Sequence, residues 1–343
     1  MMSTLILPAF LLACCFVLCA ALIMLLLPML RRHKVIDAPN ERSSHSEPVV
    51  RGGGWAIGFT LIIAGMFIAL WVGPCDNFIW LGLGFILLMI TSACDDIKAL
   101  SVKFRLFVQT VAVLCGLDAL SLDPLQNQIF VPLWGEAVPG WIEYAILVVG
   151  WVWFINLFNF MDGLDGLASI GAITICLATI LLICAAGLLL PHIVLLAAAI
   201  IGVIAAFLCW NWHPAKLFMG DTGSVPLGYM LGFLLIALAQ AGLLFAALIP
   251  PLYFIADTTV TLIRRLARGE KFWHAHREFF FHQAQRQLKR HDQVVYAVII
   301  CHAALIGCSL LALKIGGWAL ISAAGAVAVL CGYFHKQGKL AAA

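Results

Sequence analysis

Residues 141–187 read WIEYAILVVGWVWFINLFNFMDGLDGLASIGAITICLATILLICAAG. Two apolar runs flank the acidic turn Asn159-Phe160-Met161-Asp162-Gly163-Leu164-Asp165-Gly166, and each has roughly the 20 residues needed to cross the hydrocarbon of a bilayer. The runs are continuous rather than alternating, so they predict helices, at 141–158 and 164–187, and not barrel strands. A hairpin of spanning helices with its carboxylates at the connecting turn indicates both an architecture and a place to look for chemistry.

The same reading extends along the whole chain. Of 343 residues, 64% are hydrophobic and 11% charged, whereas soluble domains carry about 25% charged residues. Cutting the apolar runs where Gly, Pro and charges cluster predicts eleven helices, at about 4–30, 54–72, 77–93, 103–120, 141–158, 164–187, 191–210, 224–239, 242–262, 292–312 and 316–334. The expected fold class is therefore an all-α polytopic integral membrane protein, one transmembrane domain over residues 1–343 without an internal repeat. The cut near Ala241-Gly242 is the thinnest. The first run exceeds a signal-peptide h-region and has no basic segment before it, so it is expected to be a mature helix. The twelve cysteines form no CxxC pair and read as reduced, lipid-buried small residues.

Placing the Arg31-Arg32-His33-Lys34 loop in the cytoplasm puts nineteen of the 20 Lys and Arg residues on that side, Lys314 excepted. By the positive-inside bias the N-terminus is then outside, in the periplasm, and the C-terminus in the cytoplasm. The inner loops are about 31–53, 94–102, 159–163, 211–223 and 263–291. Their basic character suits anionic headgroups and anionic soluble substrates, with the lipid bilayer and no nucleic acid as partner.

The acidic motifs fall on the same face. Asp95 and Asp96 close the third helix, where adjacent carboxylates repel unless a cation or proton lies between them. Lys98, Lys103 and Arg105 follow within ten residues, a mixture suited to phosphates and a metal; a solvated helix end is the plain alternative. Asn156, Asn159, Asp162 and Asp165 recur every three residues, which places them on one face if the segment is helical; Asp162 as a simple cap of the next helix is the alternative. Asp221 lies in Lys216-Leu217-Phe218-Met219-Gly220-Asp221-Thr222-Gly223-Ser224, before a helix that Thr222 or Ser224 could cap and whose N–H groups make an anion site. Asp221 reads as a cap or as a Mg²⁺ ligand, since Mg²⁺ takes one or two carboxylates with substrate phosphate oxygens. His274, His276 and Arg277, in the longest inner loop, suit phosphate binding better than zinc, because no cysteine accompanies them. The neighbouring Phe279, Phe280 and Phe281 also fit an interfacial helix dipping into lipid. Asp257, inside a predicted span, is expected to pair with Arg264.

Together these segments, from about Arg31 to His282, resemble the polyprenyl-phosphate N-acetylhexosamine-1-phosphate transferase superfamily. The aspartate pair matches Asp95 and Asp96; the Asn-x-x-Asn-x-x-Asp-Gly-x-Asp-Gly segment matches Asn156 to Gly166. The Phe-Met-Gly-Asp-x-Gly-Ser turn matches Phe218 to Ser224, with Asn211 upstream. The resemblance implies transfer of a sugar-1-phosphate from a UDP-N-acetylamino sugar to undecaprenyl phosphate at the cytoplasmic face of the bacterial inner membrane. It implies Mg²⁺, with Mn²⁺ as a substitute, held by Asp221, and Asp95, Asp96, Asp162 and Asp165 as catalytic carboxylates. Asn156, Asn159, Asn211, Lys98, Arg105, Lys216, His274, His276 and Arg277 would bind substrate. Whether Asp95 or Asp96 is base, nucleophile or cation-positioning group stays open. A homodimer is the family-like expectation.

His274-Ala275-His276-Arg277 departs from the three consecutive histidines of the muramoyl-pentapeptide enzymes. It is closer to enzymes that begin O-antigen or capsule chains, as are the stretches Asp37 to His45 and Arg51 to Gly54. A small sugar such as FucNAc, QuiNAc or GlcNAc is then expected. Two rivals fit less well. A transporter of an anionic solute would place its polar groups near the midplane, and a CDP-alcohol phosphotransferase would continue Asp-Gly-x-x-Ala-Arg where this chain has Asp162-Gly163-Leu164-Asp165.

Overall fold

The computed structural model describes residues 2–37, 47–72, 76–121, 138–270 and 276–342. Long apolar runs become long helices: α1 (Met2–Arg32), α2 (Gly53–Val72), α3 (Asp76–Ile97), α4 (Val102–Ser121), α5 (Gly140–Phe160), α6 (Leu167–Ala186), α7 (Pro191–Asn211) and α8 (Asp221–Leu238). After them come α9 (Leu244–Leu248), α10 (Leu252–Ala267), α11 (Phe280–Leu288), α12 (His291–Ile315) and α13 (Ala319–Ala342). Among the described residues, eight stretches are long and apolar enough to cross a membrane, two of them composite: Asp221–Leu248, and His291–Leu340, which joins α12 to α13. The protein is thus a multi-pass membrane protein, helical apart from three short strands. α4, which carries Lys103, Arg105 and Asp118, is not among the eight.

Two breaks in the second half have clear causes. The thin cut near Ala241-Gly242 is where Gly242 takes φ 84° and ψ 7°, a left-handed conformation open to a residue without Cβ. The chain reverses there: Ser309 Oγ on α12 donates to Ala246 O at 2.6 Å, and the Tyr253 ring lies 6.2 Å from that of His302, further back along α12. The single helix expected at 242–262 is instead split into α9 and α10. Pro250-Pro251 stands at the break, because proline lacks the N–H and clashes with the preceding turn.

Hydrocarbon surrounding the helices gives no hydrophobic drive for their association, so close packing and buried hydrogen bonds do that work. Trp151 of α5 stacks on Tyr229 of α8 with ring centroids 5.1 Å apart and donates its indole N–H to Tyr229 O at 3.0 Å. That contact fixes α5 against α8, the two helices that end in Asn159 and begin with Asp221. The eleven described cysteines are all free.

At the end of the bundle where the motifs gather, a small sheet ties three segments together. Strand β1 (Ile36–Asp37) pairs antiparallel with β2 (Val49–Arg51), and β2 pairs parallel with β3 (Leu217–Phe218), with Arg51 opposite Phe218. The chain then enters α2 through Gly53 and Gly54. A Cβ on Gly54 would sit 2.3 Å from the Gly223 nitrogen, so only glycine lets the first turn of α2 lie against the first turn of α8.

Candidate active site

This docking puts Arg51 beside Asp221. The Arg51 Nη2 lies 2.7 Å from Asp96 Oδ1 and 3.4 Å from Asp221 Oδ1. Thr222 Oγ1 donates to Asp96 Oδ2 at 2.8 Å. From α5, Asn159 Nδ2 donates to Asp221 Oδ1 at 3.2 Å and to Ser224 Oγ at 2.8 Å. Asp221 stands in the first turn of α8, which begins three residues before the expected start; Gly220 holds the N-cap position and no side chain caps the helix. Neither Thr222 nor Ser224 is a cap, because their hydroxyls bond Asp96 Oδ2 and Gly220 O instead.

Asp162 completes the group. Burial, then the neighbouring Asp221 carboxylate, push its acid up to about 8, with Arg51 opposing. Asp96 and Asp221 share one guanidinium, and Asp162 beside them adds a third carboxyl, so the site is short of positive charge. That shortage fits a divalent cation: Asp221 with its neighbours Asp96 and Asp162 would hold Mg²⁺, a hard ion that prefers carboxylate oxygen.

The four residues at three-residue spacing do not share a face, because α5 ends at Phe160 and the chain turns. Asn156 faces α4, where Gln109 Oε1 accepts from its Nδ2 at 2.6 Å. Asn159 faces Asp221. Asp162 sits in the turn, and Asp165 rotates toward other partners: His213 Nδ1 and His291 Nδ1 lie 2.7 and 3.1 Å from its Oδ2, and the Ala215 N–H donates to that oxygen at 3.2 Å. Burial works to raise the Asp165 acid, but the donors from His291, His213 and Ala215 outweigh it and hold it below its ordinary value. Asn211 accepts from Gly166 N–H at 2.9 Å and donates to Leu217 O at 3.1 Å. It therefore stitches the turn to β3. Asp162 does not cap α6, whose N-cap position is Gly166.

Asp165, His213 and His291 also present ligand atoms within 4.8 Å of one another, as a metal site would. The carboxylate there is already satisfied by its imidazoles and an N–H, so we read the cluster as a clasp and place the cation deficit at Asp221.

Adjacent Asp95 and Asp96 diverge, as neighbours on a helix must. Asp95 accepts from Leu100 N–H at 2.6 Å and from Arg105 Nη1 at 3.0 Å, closing the turn into α4. A small polar cleft lies between α3, α4, α5 and α8, lined by Asp95, Arg105, Gln109, Asn156, Asn159 and Asp221. Lys98 and Lys216 are exposed and are not in its lining.

The longest loop differs from expectation. His274 lies outside the described residues, as do residues 38–46. His276 Nδ1 accepts from Glu278 N–H at 3.3 Å, and burial followed by Arg265 depresses its imidazole. Arg277 Nη2 donates to Gln285 Oε1 at 3.3 Å. Phe279, Phe280 and Phe281 do not dip into lipid: all three are buried, and Phe279 stacks on Phe160 at the end of α5. Asp257 does not pair with Arg264. It accepts from Phe280 N–H at 2.8 Å, Phe281 N–H at 3.3 Å and Tyr253 OH at 3.0 Å, so it caps the start of α11.

Four residues of this region were not singled out from sequence as site groups. Arg51 had a signal, a cation directly before three glycines. His213 and His291 had none beyond their residue type. His282 is buried against Gly163, its imidazole pushed down to about 3 by burial and then by Arg277 and His276.

Comparison with known proteins now decides the family. The description "Glycosyl transferase family 4" matches residues 78–239, which hold Asp95, Asp96, Asn156 to Gly166 and Asp221. A "Probable undecaprenyl-phosphate N-acetylglucosaminyl 1-phosphate transferase" of Bacillus subtilis is 32% identical over 264 residues, 73% of this chain and 71% of the relative. The chain belongs to the polyprenyl-phosphate N-acetylhexosamine-1-phosphate transferase superfamily. A phospho-N-acetylmuramoyl-pentapeptide-transferase of Sulfurimonas denitrificans is 32% identical, over 41% of this chain and 44% of the relative. One of Streptococcus pyogenes is 38% identical over 39% of each. The chain thus spans about 39 to 56% of the muramoyl-pentapeptide enzymes it matches and 71% of the N-acetylglucosaminyl one.

Proposed function

We propose that this chain transfers an N-acetylamino-sugar-1-phosphate from a UDP-sugar to undecaprenyl phosphate, releasing UMP and leaving a lipid-linked pyrophosphoryl sugar. The observation that carries the reading is that Asp96 and Asp221 share the guanidinium of Arg51, with the carboxyl of Asp162 beside Asp221, at one end of an apolar bundle. A phosphate oxygen of the lipid attacks the sugar-linked phosphorus, a new P–O bond forms, and the bond to UMP breaks. Both reactants are polyanions, so repulsion is the main barrier. Mg²⁺ (or Mn²⁺), when bound, supplies charge neutralisation and alignment of the phosphate oxygens. Arg51 and Arg105 add fixed positive charge, and Asn159 orients the Asp221 carboxylate. The lipid phosphate is largely ionised near neutral pH, so Asp95 and Asp96 serve better to position cations than to remove a proton. Asp165 acts by holding the turn that carries Asp162.

In this reading the chain crosses the bacterial inner membrane eleven times with its N-terminus outside, and the active site faces the cytoplasm. The one-sided basic residues support that orientation. The Bacillus relative aligns across 73% of the chain, while the muramoyl-pentapeptide relatives align over about 39 to 51% of it. Together with His276-Arg277 in the long loop, this favours a small UDP-N-acetylamino sugar such as GlcNAc, FucNAc or QuiNAc, and a role at the start of O-antigen, capsule or related glycans. The test is UMP release by detergent-purified protein given undecaprenyl phosphate, Mg²⁺ and a panel of UDP-N-acetylhexosamines. Release that needs the lipid and stops with EDTA supports the proposal; a folded protein silent across the panel overturns it.

A further inference from the structure

With Asp257 engaged at the start of α11, Arg264 is left without its expected partner. Among the described residues no carboxylate lies within ion-pair distance of it, whereas its neighbours Arg265 and Arg268 pair with Glu270 and Glu278. The Arg264 guanidinium rests over the ring of Phe280, 5.0 Å from the centroid. It stands in the lining of an open groove of about 430 Å³ between α10 and α13, a size within the roughly 300–1,000 Å³ of ligand sites.

The groove is built like an amphiphile site. Ala256 and Val260 form the α10 wall; Ala324, Ala328 and Gly332, four residues apart on one face of α13, form the other. Among the described residues, Arg264 and His335 are the basic side chains that line it, and no acidic residue does. Next to it α10 turns Ile263 and Leu266 outward, 60% and 62% exposed, and α13 turns out Val329, 75% exposed. The groove therefore opens toward the space that acyl chains occupy. An apolar trough ending in an unpaired guanidinium matches a ligand with a long apolar chain and an anionic head, and arginine's fork favours phosphate.

We propose that the α10–α13 groove binds an anionic phospholipid of the surrounding bilayer, with its phosphodiester at Arg264 and His335 and an acyl chain along the Ala256–Ala328 walls. The occupant is a bilayer phospholipid and not the polyprenyl acceptor. None of the lining residues comes from α3, α5 or α8, the helices that carry Asp96, Asn159 and Asp221.

The experiment is native mass spectrometry of the delipidated full-length chain titrated with dioleoylphosphatidylglycerol, dioleoylphosphatidylcholine or undecaprenyl phosphate. One phosphatidylglycerol should bind about fivefold more tightly than phosphatidylcholine, because both carry the phosphodiester and only the choline cation opposes the arginine, and Arg264→Gln should bring the two to parity. Ala328→Trp, which fills the trough, should lower retention of either phospholipid. Arg264 is exposed, so its variant tests the site without disturbing the core. Equal binding of the two phospholipids by the unaltered chain overturns the proposal, as does a phosphatidylglycerol preference that survives Arg264→Gln. Displacement of phosphatidylglycerol by undecaprenyl phosphate in the unaltered chain, lost in Ala328→Trp, assigns the groove to the acceptor and also overturns it.

Discussion

Asp162 and Asp165 stand three residues apart in one turn, and their surroundings are opposite. Asp165 receives two imidazoles and a backbone N–H, and its acid is held low. Among the described residues no donor reaches the Asp162 carboxylate, and burial beside Asp221 pushes its acid up to about 8. Asp257 belongs with Asp165, fully hydrogen-bonded at the start of α11. Asp96 and Asp221 belong with Asp162: the two of them divide one arginine. A carboxylate whose lone pairs are filled holds segments together; one kept short of positive charge is available to a ligand that brings it.

The comparison predicts different kinds of damage. Asp221→Asn should lower UMP release by about a thousandfold, the upper range for losing one fixed electrostatic contact to a transition state, while the thermal unfolding midpoint in detergent stays near that of the unaltered chain. Asp165→Ala should act first on stability. It leaves two imidazoles and an N–H without their shared acceptor, a loss of about 3 kcal/mol for a broken buried pair, readable as a lowered unfolding midpoint. An Asp165→Asn protein that melts normally yet is as inactive as Asp221→Asn would break the division and return Asp165 to the chemistry.

Titration separates the two carboxylates with opposite signs. A carboxyl whose folded pKa of about 8 exceeds its unfolded value contributes stability that is complete below the unfolded pKa and lost as pH rises through 8. In EDTA the unaltered chain should therefore lose thermal stability between about pH 4 and 8, and Asp162→Asn should flatten that slope. Asp165, whose acid is depressed, contributes stability present above its unfolded pKa and lost as pH falls. Melting curves by tryptophan fluorescence across pH would measure both; a slope unchanged by Asp162→Asn would remove the strained carboxylate from the comparison.

The helices were legible because their signal is local: an apolar run of the right length, and a glycine or proline pair where it stops. Gly242 and Pro250-Pro251 mark real breaks, although only the first was read as one. The carboxylates were legible as types at a spacing, but their partners were not. Arg51 meets Asp221 across 170 residues, and His291 meets Asp165 across 126. No periodicity encodes such a pairing. The expected Asp257–Arg264 pair failed for the same reason: nearness along a helix competed with N–H groups from a segment more than 20 residues away, and the N–H groups won.

The smallest predicted effect tests the edge of the cleft. Lys98, Lys103 and Arg105 look alike in sequence as a run of cations after the aspartate pair. In the structure Arg105 holds Asp95 at 3.0 Å and lines the cleft, whereas Lys98 is exposed on the turn between α3 and α4. Exposed charges contribute little, typically within about 1 kcal/mol, so Lys98→Gln should change kcat/KM by no more than about fivefold, the factor that energy sets. Arg105→Gln should raise the KM for the lipid acceptor more than it lowers kcat, because it removes a fixed charge from the cleft without touching Asp221. A Lys98 effect as large as that of Arg105 would mean that the turn at 98–101 closes over bound substrate. The acidic cluster would then be a site completed by its ligand, and the boundary between structural and reactive carboxylates would shift to include Asp95.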